Sequence, residues 1–263
     1  MDLRLNGKNA LVCGSSQGIG KASALQLASL GANITLVSRS PGKMSAIIEE
    51  MVMDIPAGQD HDFLVADFSN SHDLRKKVLG ITAKKNYQIL INNTGGPPGG
   101  PIVEATSEQF TSAFHNHLIC NHILATLLIP GMKKSGYGRI INIISTSVKT
   151  PLQNLGVSNT TRGAVASWSK TMANELGQFG ITVNNVLPGL TNTTRLVDLF
   201  GQKAKELGIT YDEMIDKLKA STPAGRLADP TEVGAAVAFL SSPAAGYING
   251  INLPVDGGRT PAL

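Results

Sequence analysis

The chain has 263 residues, of which 42% are hydrophobic and 16% are charged. This composition is typical of a globular protein with a large buried core, and it excludes a mainly disordered chain. The net charge of +4 comes from lysines and arginines scattered along the sequence, so no long basic run indicates a nucleic-acid partner.

The cysteines and the first residues favour a cytoplasmic protein. Cys13 and Cys120 stand in apolar surroundings, and two cysteines are too few for a disulfide framework. The segment from Met1 to Lys8 lacks the apolar region of a signal peptide. No uninterrupted apolar run approaches the ~20 residues that span a bilayer, so we expect no membrane partner.

A glycine-rich turn follows the first predicted strand, Asn9 to Val12, and opens a helical pattern. Its glycines are Gly14, Gly18 and Gly20. Glycines at such a corner permit positive φ angles and a close backbone approach, and the following helix amides attract an anion such as a dinucleotide pyrophosphate. The spacing differs from G-x-G-x-x-G, so the turn alone indicates only a nucleotide.

The second predicted strand runs from Asn33 to Arg39. In dinucleotide-binding folds the end of this strand meets the adenosine ribose, where a basic residue accommodates a 2′-phosphate. Arg39, preceded by Ser38, occupies that place. The sequence therefore favours NADP(H) over NAD(H); the alternative is that Arg39 is a solvated surface residue.

Strands and helices continue to alternate along the chain. A helical pattern from Met44 to Met53 precedes a third strand at Asp62 to Ala66, and a fourth strand begins at Gln88. The alternation predicts parallel βαβ units, with ligands bound beyond the carboxyl ends of the strands. The residues that end these two strands include Asp67, Asn93 and Gly95.

Two long helices are predicted in the middle of the chain. The first, from about Ser107 to Met132, carries His117 on its apolar stripe. A fifth strand from Arg139 to Ile144 then leads to Ser145. The second helix, from about Val157 to Phe179, places two residues four apart on one face, Ser158 and Arg162.

The last third of the chain changes in pattern. A sixth strand from Ile181 to Val186 leads into Pro188-Gly189, and residues 190–224 form short helices and loops that we interpret as a lid. A final helix begins at Asp229, and a strand from Ile248 to Val255 closes the sheet. No cluster of His, Cys, Asp or Glu has zinc-site spacing, so no metal is expected.

These segments, taken in order, resemble the short-chain dehydrogenase/reductase family, and most closely its 3-oxoacyl-acyl-carrier-protein reductases and its sugar or alcohol dehydrogenases. The segments that carry the resemblance are Gly14-x3-Gly18-x-Gly20, Asn92-Asn-Thr-Gly95, Ser145, Pro188-Gly189 and Tyr247 to Gly258. The resemblance implies one Rossmann-like domain over residues 1–263, an α/β fold with a doubly wound parallel sheet of about seven strands and helices on both faces. It also implies hydride transfer at a carbonyl or hydroxyl carbon, and a homotetramer or homodimer.

The resemblance also assigns residues to the cofactor. The glycine turn, through Gly14, Ser16, Ile19 and Gly20, would hold the pyrophosphate. Asp67 would meet the adenine. The remaining predicted cofactor residues are Gly18, Ser38, Arg39, Asn93, Gly95, Arg162, Pro188, Gly189, Thr191 and Thr193, of which the two threonines would meet the nicotinamide carboxamide.

The catalytic positions depart from the family. The family places a tyrosine thirteen residues beyond its serine and a lysine four beyond that, and counting from Ser145 gives Ser158 and Arg162. The family's asparagine aligns with His117. Ser145 is therefore the one catalytic identity of four that remains.

The replacements differ in proton chemistry. A serine is a much poorer acid than a tyrosine of pKa ~10. Arg162 could bind the nicotinamide ribose and stabilise an oxyanion, but an arginine of pKa above ~12 cannot relay a proton. His117 would titrate near neutral pH and could supply the proton; the alternative is a hydrogen-bonded core histidine.

Two hypotheses follow. The first, which we favour, is an NADP(H)-dependent oxidoreductase that acts on a small-molecule carbonyl or alcohol, with Ser145, Ser158, Arg162 and His117 as candidate catalytic residues. The second is a non-catalytic NADP(H)-binding sensor or partner subunit, since the tyrosine and lysine are missing.

Overall fold

Seven parallel strands form one sheet in the computed structural model, which describes residues 1–54 and 58–262. Their order across the sheet is β3-β2-β1-β4-β5-β6-β7. The strands are β1 (Asn9–Cys13), β2 (Asn33–Ser38), β3 (Asp62–Val65), β4 (Ile89–Asn92), β5 (Gly138–Ile143), β6 (Ile181–Pro188) and β7 (Asn252–Val255). The order reverses between β1 and β4, which is the place where doubly wound sheets bind ligands.

Helices cover both faces of this sheet. They are α1 (Gly18–Ser29), α2 (Pro41–Asp54), α3 (Ser71–Thr82), α4 (Ser107–Phe114), α5 (Cys120–Ser135), α6 (Gly156–Leu176), α7 (Thr194–Glu206), α8 (Tyr211–Ala220) and α9 (Pro230–Ser241). The predicted Rossmann-like α/β fold is confirmed.

The inner strands of the sheet, β1, β2, β4, β5 and β6, bury both of their faces. In β1, Ala10 and Val12 pack with α1, α2 and α9, whereas Leu11 and Cys13 pack with α3, α5 and α6. Successive side chains of a strand point to opposite faces, so a sheet between two helical layers needs apolar residues at every position. This explains why the strands read as continuous apolar runs.

A ladder of buried asparagines crosses four adjacent strands. Asn92, Asn142, Asn185 and Asn252 are partners in the register of β4, β5, β6 and β7. Their amides bond in sequence, at 2.8 Å, 3.0 Å and 2.8 Å. The Ser169 hydroxyl of α6 joins the ladder by accepting from Asn142 at 2.9 Å and donating to Asn185 at 2.8 Å. The ladder pairs most of these buried polar groups, with the Asn92 side-chain oxygen left unpartnered, and it ties α6 to the sheet.

The long helix predicted from Ser107 to Met132 is interrupted. Between α4 and α5 lies a π turn, His115–Ile119, in which hydrogen bonds span five residues. The wider turn shifts the helix face, and within it His117 is buried at 2% exposure. Apolar periodicity does not reveal such a turn, because the pattern continues on both sides of it.

The closing strand is shorter than the predicted Ile248 to Val255. Strand pairing begins only at Asn252, since Gly250 has a φ of +74° and its amide bonds to the Val183 carbonyl. The Ile251 amide bonds to the side-chain oxygen of Asn184 instead of a strand carbonyl. The segment before Asn252 is therefore held by turns and side chains.

The predicted lid segment contains two capped helices. Thr193 caps α7, and Thr210 forms a capping box with Glu213 at the start of α8. The two helices share a small apolar cluster that includes Ala204 and Met214. No helix of the described residues is long and apolar enough to cross a membrane.

Candidate active site

The glycine turn has no space for side chains. Gly14 and Gly18 have φ angles of +58° and +56°, which L side chains rarely adopt. A Cβ on Gly14 would lie 2.7 Å from the Asn93 carbonyl oxygen, and one on Gly20 would overlap the Gly14 carbonyl. The Asn93 side chain donates to that same carbonyl at 3.2 Å. The exposed backbone of this turn fits a pyrophosphate, which would bind between it and the first amides of α1.

Other predicted cofactor residues surround the turn. Ser16 is half-buried on the turn, and Ile19 packs against the core beneath it. The Thr193 methyl group would lie 3.2 Å from a Cβ on Gly18. The structure therefore brings the start of α7 against the glycine turn.

Pro188 ends β6, and Gly189 begins the segment that leads to Thr193 beside the glycine turn. The Gly189 amide donates to the Val255 carbonyl at 2.9 Å, and a Cβ there would lie 2.6 Å from Asp256. Thr191 is buried, and its hydroxyl donates to the Gly189 carbonyl at 3.3 Å.

At the end of β2, Arg39 is exposed and lies 4.0 Å from the Asp67 carboxylate. An exposed pair at that separation is weak, so the guanidinium remains available to another anion. The Ser69 amide bonds to Asp67 at 2.9 Å and is the main reason that the pKa of Asp67 is lowered. The Ser38 hydroxyl accepts from the Ser40 amide at 3.1 Å.

Thr194 and Lys43, which no sequence pattern indicated, contact Gln17 on the glycine turn. The Gln17 side chain donates to the Thr194 hydroxyl at 2.8 Å and accepts from Lys43 at 3.1 Å. Lys43 lies in the first turns of α2, and Thr194 begins α7. These partners are 26 and 177 residues from Gln17 in the chain, so only the fold brings them together.

Ser145 follows β5 and caps a short 3-10 turn, Thr146–Val148. Its hydroxyl oxygen accepts the Ser147 amide at 3.1 Å, and the side chain is half-buried. The 3-10 turn packs against α6, which carries the half-buried Ser158 and the buried Arg162. The helix that carries Ser158 and Arg162 therefore packs against the turn that Ser145 caps.

Arg162 is a buried cation at 8% exposure. Its Nη1 donates to the Ile143 carbonyl at 2.7 Å, while its Nε is buried without a partner. Burial, and then the charge of Arg195, lowers the pKa of Arg162 to about 10. The expected value above ~12 is therefore corrected, but the guanidinium still holds its proton at neutral pH.

His117 lies in the π turn, which packs against α6, the helix that carries Arg162. It donates to the Gly95 carbonyl, and burial, followed by the charges of Arg162 and Arg195, lowers its pKa to about 2. The expectation that it titrates near neutral pH is therefore wrong, because a buried imidazolium beside two cations is strongly disfavoured. The geometry favours the alternative of a hydrogen-bonded core histidine that holds the loop at Gly95.

Arg195, in the first turn of α7, reaches across to the loop after β4. Its Nη1 donates to the Gly96 carbonyl at 3.0 Å and its Nη2 to the Pro97 carbonyl at 3.1 Å. No local pattern distinguished this arginine within the predicted lid. Arg195 therefore links α7 to the loop after β4, which His117 also contacts at Gly95.

The site therefore combines a backbone cradle for an anion, two hydroxyl groups, the buried guanidinium of Arg162 and the exposed guanidinium of Arg195. Within residues 1–54 and 58–262, no group of three His, Cys, Asp or Glu side chains could hold a metal ion. The arrangement can orient a bound molecule and stabilise negative charge on it.

A family model described as enoyl-(acyl carrier protein) reductase matches residues 14–260. The 3-oxoacyl-acyl-carrier-protein reductase FabG of Vibrio cholerae is 34% identical over 259 residues, covering 97% of this chain and 98% of that protein. A chloroplastic tropinone reductase homologue of Arabidopsis thaliana is 32% identical, covering 97% of this chain and 76% of that protein.

Among solved structures, the L-sorbose reductase of Gluconobacter frateurii, determined with NADPH and L-sorbose, has a TM-score of 0.93. It is 30% identical to this chain, and the match covers 100% of both chains. The similarity extends over the whole sheet and over the segments that surround the candidate site.

Proposed function

The chain belongs to the short-chain dehydrogenase/reductase family of oxidoreductases, and on that premise we propose that it interconverts a carbonyl and a hydroxyl by NADP(H)-dependent hydride transfer at an atypical catalytic site. The observation that carries the proposal is the glycine turn. Its glycines are too closely packed for side chains, and its backbone fits the pyrophosphate of a dinucleotide.

A preference for NADP(H) is supported by Arg39. This arginine is exposed at the end of β2, and its separation of 4.0 Å from Asp67 leaves the guanidinium free to pair with a 2′-phosphate. The L-sorbose reductase that the chain resembles was solved with NADPH. Asn93 and Thr193 would contact the cofactor from the ends of β4 and the start of α7.

The reaction would use the remaining groups in place of the family's tyrosine and lysine. The bound nicotinamide supplies or accepts the hydride. Ser145 orients the substrate oxygen by a hydrogen bond, and the Arg162 guanidinium stabilises negative charge that develops there. Ser158 conducts a proton between this oxygen and water. Loss of a dedicated acid costs about 10² to 10⁴ in rate, so turnover would be slow.

The test is the double variant Ser158→Tyr with Arg162→Lys. If Ser158 and Arg162 take part in catalysis, the turnover of the variant is at least about tenfold lower than that of the unmodified chain, measured as NADPH oxidation. Ser167→Tyr, on the exposed side of α6, is the matched control and retains that turnover. A large gain of activity in the double variant would instead identify a decayed site.

A second candidate is a non-catalytic NADP(H)-binding protein. It is favoured by one observation: His117 has a pKa of about 2 and Arg162 one of about 10, so neither exchanges a proton readily at neutral pH. Tight cofactor binding without turnover on any carbonyl compound would support this candidate.

A further inference from the structure

Two guanidinium groups at the site have no anionic partner. Neither Arg162 nor Arg195 forms a salt bridge within the described part of the chain. Arg162 is 8% exposed and its Nε has no hydrogen-bond acceptor. A buried cation without a counter-charge is costly, and proteins usually pair such groups. The described part of the chain therefore supplies no counter-charge for Arg162.

The positive charge of Arg195 lies at the positive end of the α7 helix dipole. The residue is in the first turn of that helix, and that turn contains no acidic residue. Its two printed contacts are the neutral carbonyls of Gly96 and Pro97. A guanidinium has five N–H donors, so three of those of Arg195 remain for a ligand.

Both cations converge on the Ser145 side of the site. Arg162 donates to the carbonyl of Ile143, two residues before Ser145. Arg195 holds Gly96 and Pro97, next to the Gly95 carbonyl that accepts from His117. The π turn that contains His117 packs against α6, which contains Arg162. The positive charge is therefore concentrated where the substrate would bind.

We propose that Arg195 binds the carboxylate of an anionic substrate, and that this carboxylate is adjacent to the reacting carbonyl at Ser145 and Arg162, as in a 2-oxo acid. The inference rests on the proposed function and adds the class of substrate. A guanidinium matches a carboxylate in shape and charge. One substrate then places its carboxylate on Arg195 and its carbonyl oxygen near Ser145 and Arg162.

The reaction is balanced with the proposed cofactor. The carbonyl carbon of the 2-oxo acid gains a hydride and its oxygen gains a proton from water. A 2-hydroxy acid and oxidised NADP result. The carboxylate itself is unchanged and serves only for binding and orientation.

The experiment compares pyruvate, 2-oxobutanoate and phenylpyruvate with their methyl esters, which lack the charge. In the unmodified protein, kcat/KM is higher for at least one acid than for its ester. In Arg195→Gln this acid-to-ester ratio falls at least about tenfold, the loss expected for a charged hydrogen bond, and it falls through KM. Lys203→Gln removes the same charge from the exposed end of α7 and preserves the ratio.

The same Arg195→Gln variant separates two sources of anion. If Arg195 instead binds the cofactor pyrophosphate, NADPH affinity falls and the acid and the ester lose activity equally, which would overturn the proposal. If it binds the substrate carboxylate, the NADPH dissociation constant stays within about twofold.

Calorimetric titration of the protein with the acids and esters, in the presence of NADP⁺, does not require turnover. Preferential binding of an acid, lost in Arg195→Gln, supports the carboxylate site even if no hydride transfer is detected, and the proposed function alone would then fail. Equal binding of acids and esters, or no binding of any acid, would refute the carboxylate site.

Discussion

The imidazole of His117 is kept neutral by its surroundings. It is buried in the π turn, donates to the Gly95 carbonyl and faces the charges of Arg162 and Arg195. Its pKa of about 2 is far below that of a histidine in an unfolded chain, ~6.5. We infer that this residue positions the loop after β4 and does not exchange protons.

Because the pKa of His117 is lowered on folding, the folded protein loses stability as the pH falls. Below about pH 6.5 the unfolded chain binds a proton at this histidine that the folded chain does not bind. The stability contributed by neutral His117 is therefore complete above about pH 6.5 and is lost as the pH falls towards 2. Between about pH 6.5 and pH 5 the loss amounts to about 2 kcal/mol.

His117→Asn should remove this part of the pH dependence. We expect the free energy of unfolding in urea to fall by about 2 kcal/mol less in the variant than in the unmodified chain, between about pH 7.5 and pH 5. His72→Asn, at an exposed position of α3, is the control and should fall as the unmodified chain does. Equal falls in all three proteins would contradict the buried neutral state.

The hydroxyl of Ser145 is expected to act on the substrate and not on the cofactor. Ser145→Ala should lower kcat at least about 100-fold, because a hydrogen bond to the reacting oxygen is lost. NADPH affinity, measured by fluorescence titration, should change by less than about twofold. Ser145→Thr keeps a hydroxyl and should retain part of the rate. An unchanged kcat in Ser145→Ala would exclude this role.

At the scale of single elements, the glycine turn depends on backbone shape. Gly14→Ala places a Cβ in a left-handed conformation, within 2.7 Å of the Asn93 carbonyl. We expect NADPH to bind at least about tenfold more weakly, since strain of ~1–2 kcal/mol must be relieved by moving the turn.

Gly80→Ala is the control for that variant. Gly80 lies in α3 with nothing within 4 Å of the added Cβ, so alanine should stabilise the chain by up to about 1 kcal/mol and leave NADPH binding unchanged. Equal NADPH affinities for the Gly14 and Gly80 variants would show that the turn does not hold the cofactor.

The asparagine ladder is the corresponding element within the sheet. Asn142→Leu removes an inner member and leaves polar groups of Asn92 and Asn185 buried without their partner. We expect a loss of about 3 kcal/mol in the free energy of unfolding, measured in urea. Asn252→Leu, at the end of the ladder, breaks one bond and should cost about half as much. Equal losses would indicate that the amides do not act as a ladder.

At the scale of the whole molecule, the parallel βαβ units could be predicted because buried strands and amphipathic helices leave repeating patterns, and the family resemblance added the doubly wound sheet of about seven strands. The glycine turn could be placed because it lies between the first apolar strand and a helical pattern, and the structure shows that backbone packing next to Asn93 requires Gly14 and Gly20. These features depend on residues that are close in the sequence or follow the βαβ order.

Other parts of the site could not be predicted in the same way. Arg195 meets Gly96 across 99 residues of chain, and the π turn around His117 changes no apolar spacing. The pKa of Arg162 depends on burial and on Arg195, which are properties of the folded molecule. Such features arise from packing between distant segments and have no local pattern.

The most direct measurement of the central claim is transfer of deuterium from NADPH labelled at C4 of the nicotinamide to a carbonyl substrate. The purified protein is incubated with the labelled cofactor and with the three 2-oxo acids, their methyl esters and cyclohexanone, and the alcohols are analysed by mass spectrometry. We predict deuterium on the alcohol carbon of at least one product, and less transfer in Gly14→Ala when the NADPH concentration is below its dissociation constant. Tight NADPH binding without deuterium in any alcohol would contradict hydride transfer at this site, and would identify a protein that binds the cofactor without catalysis.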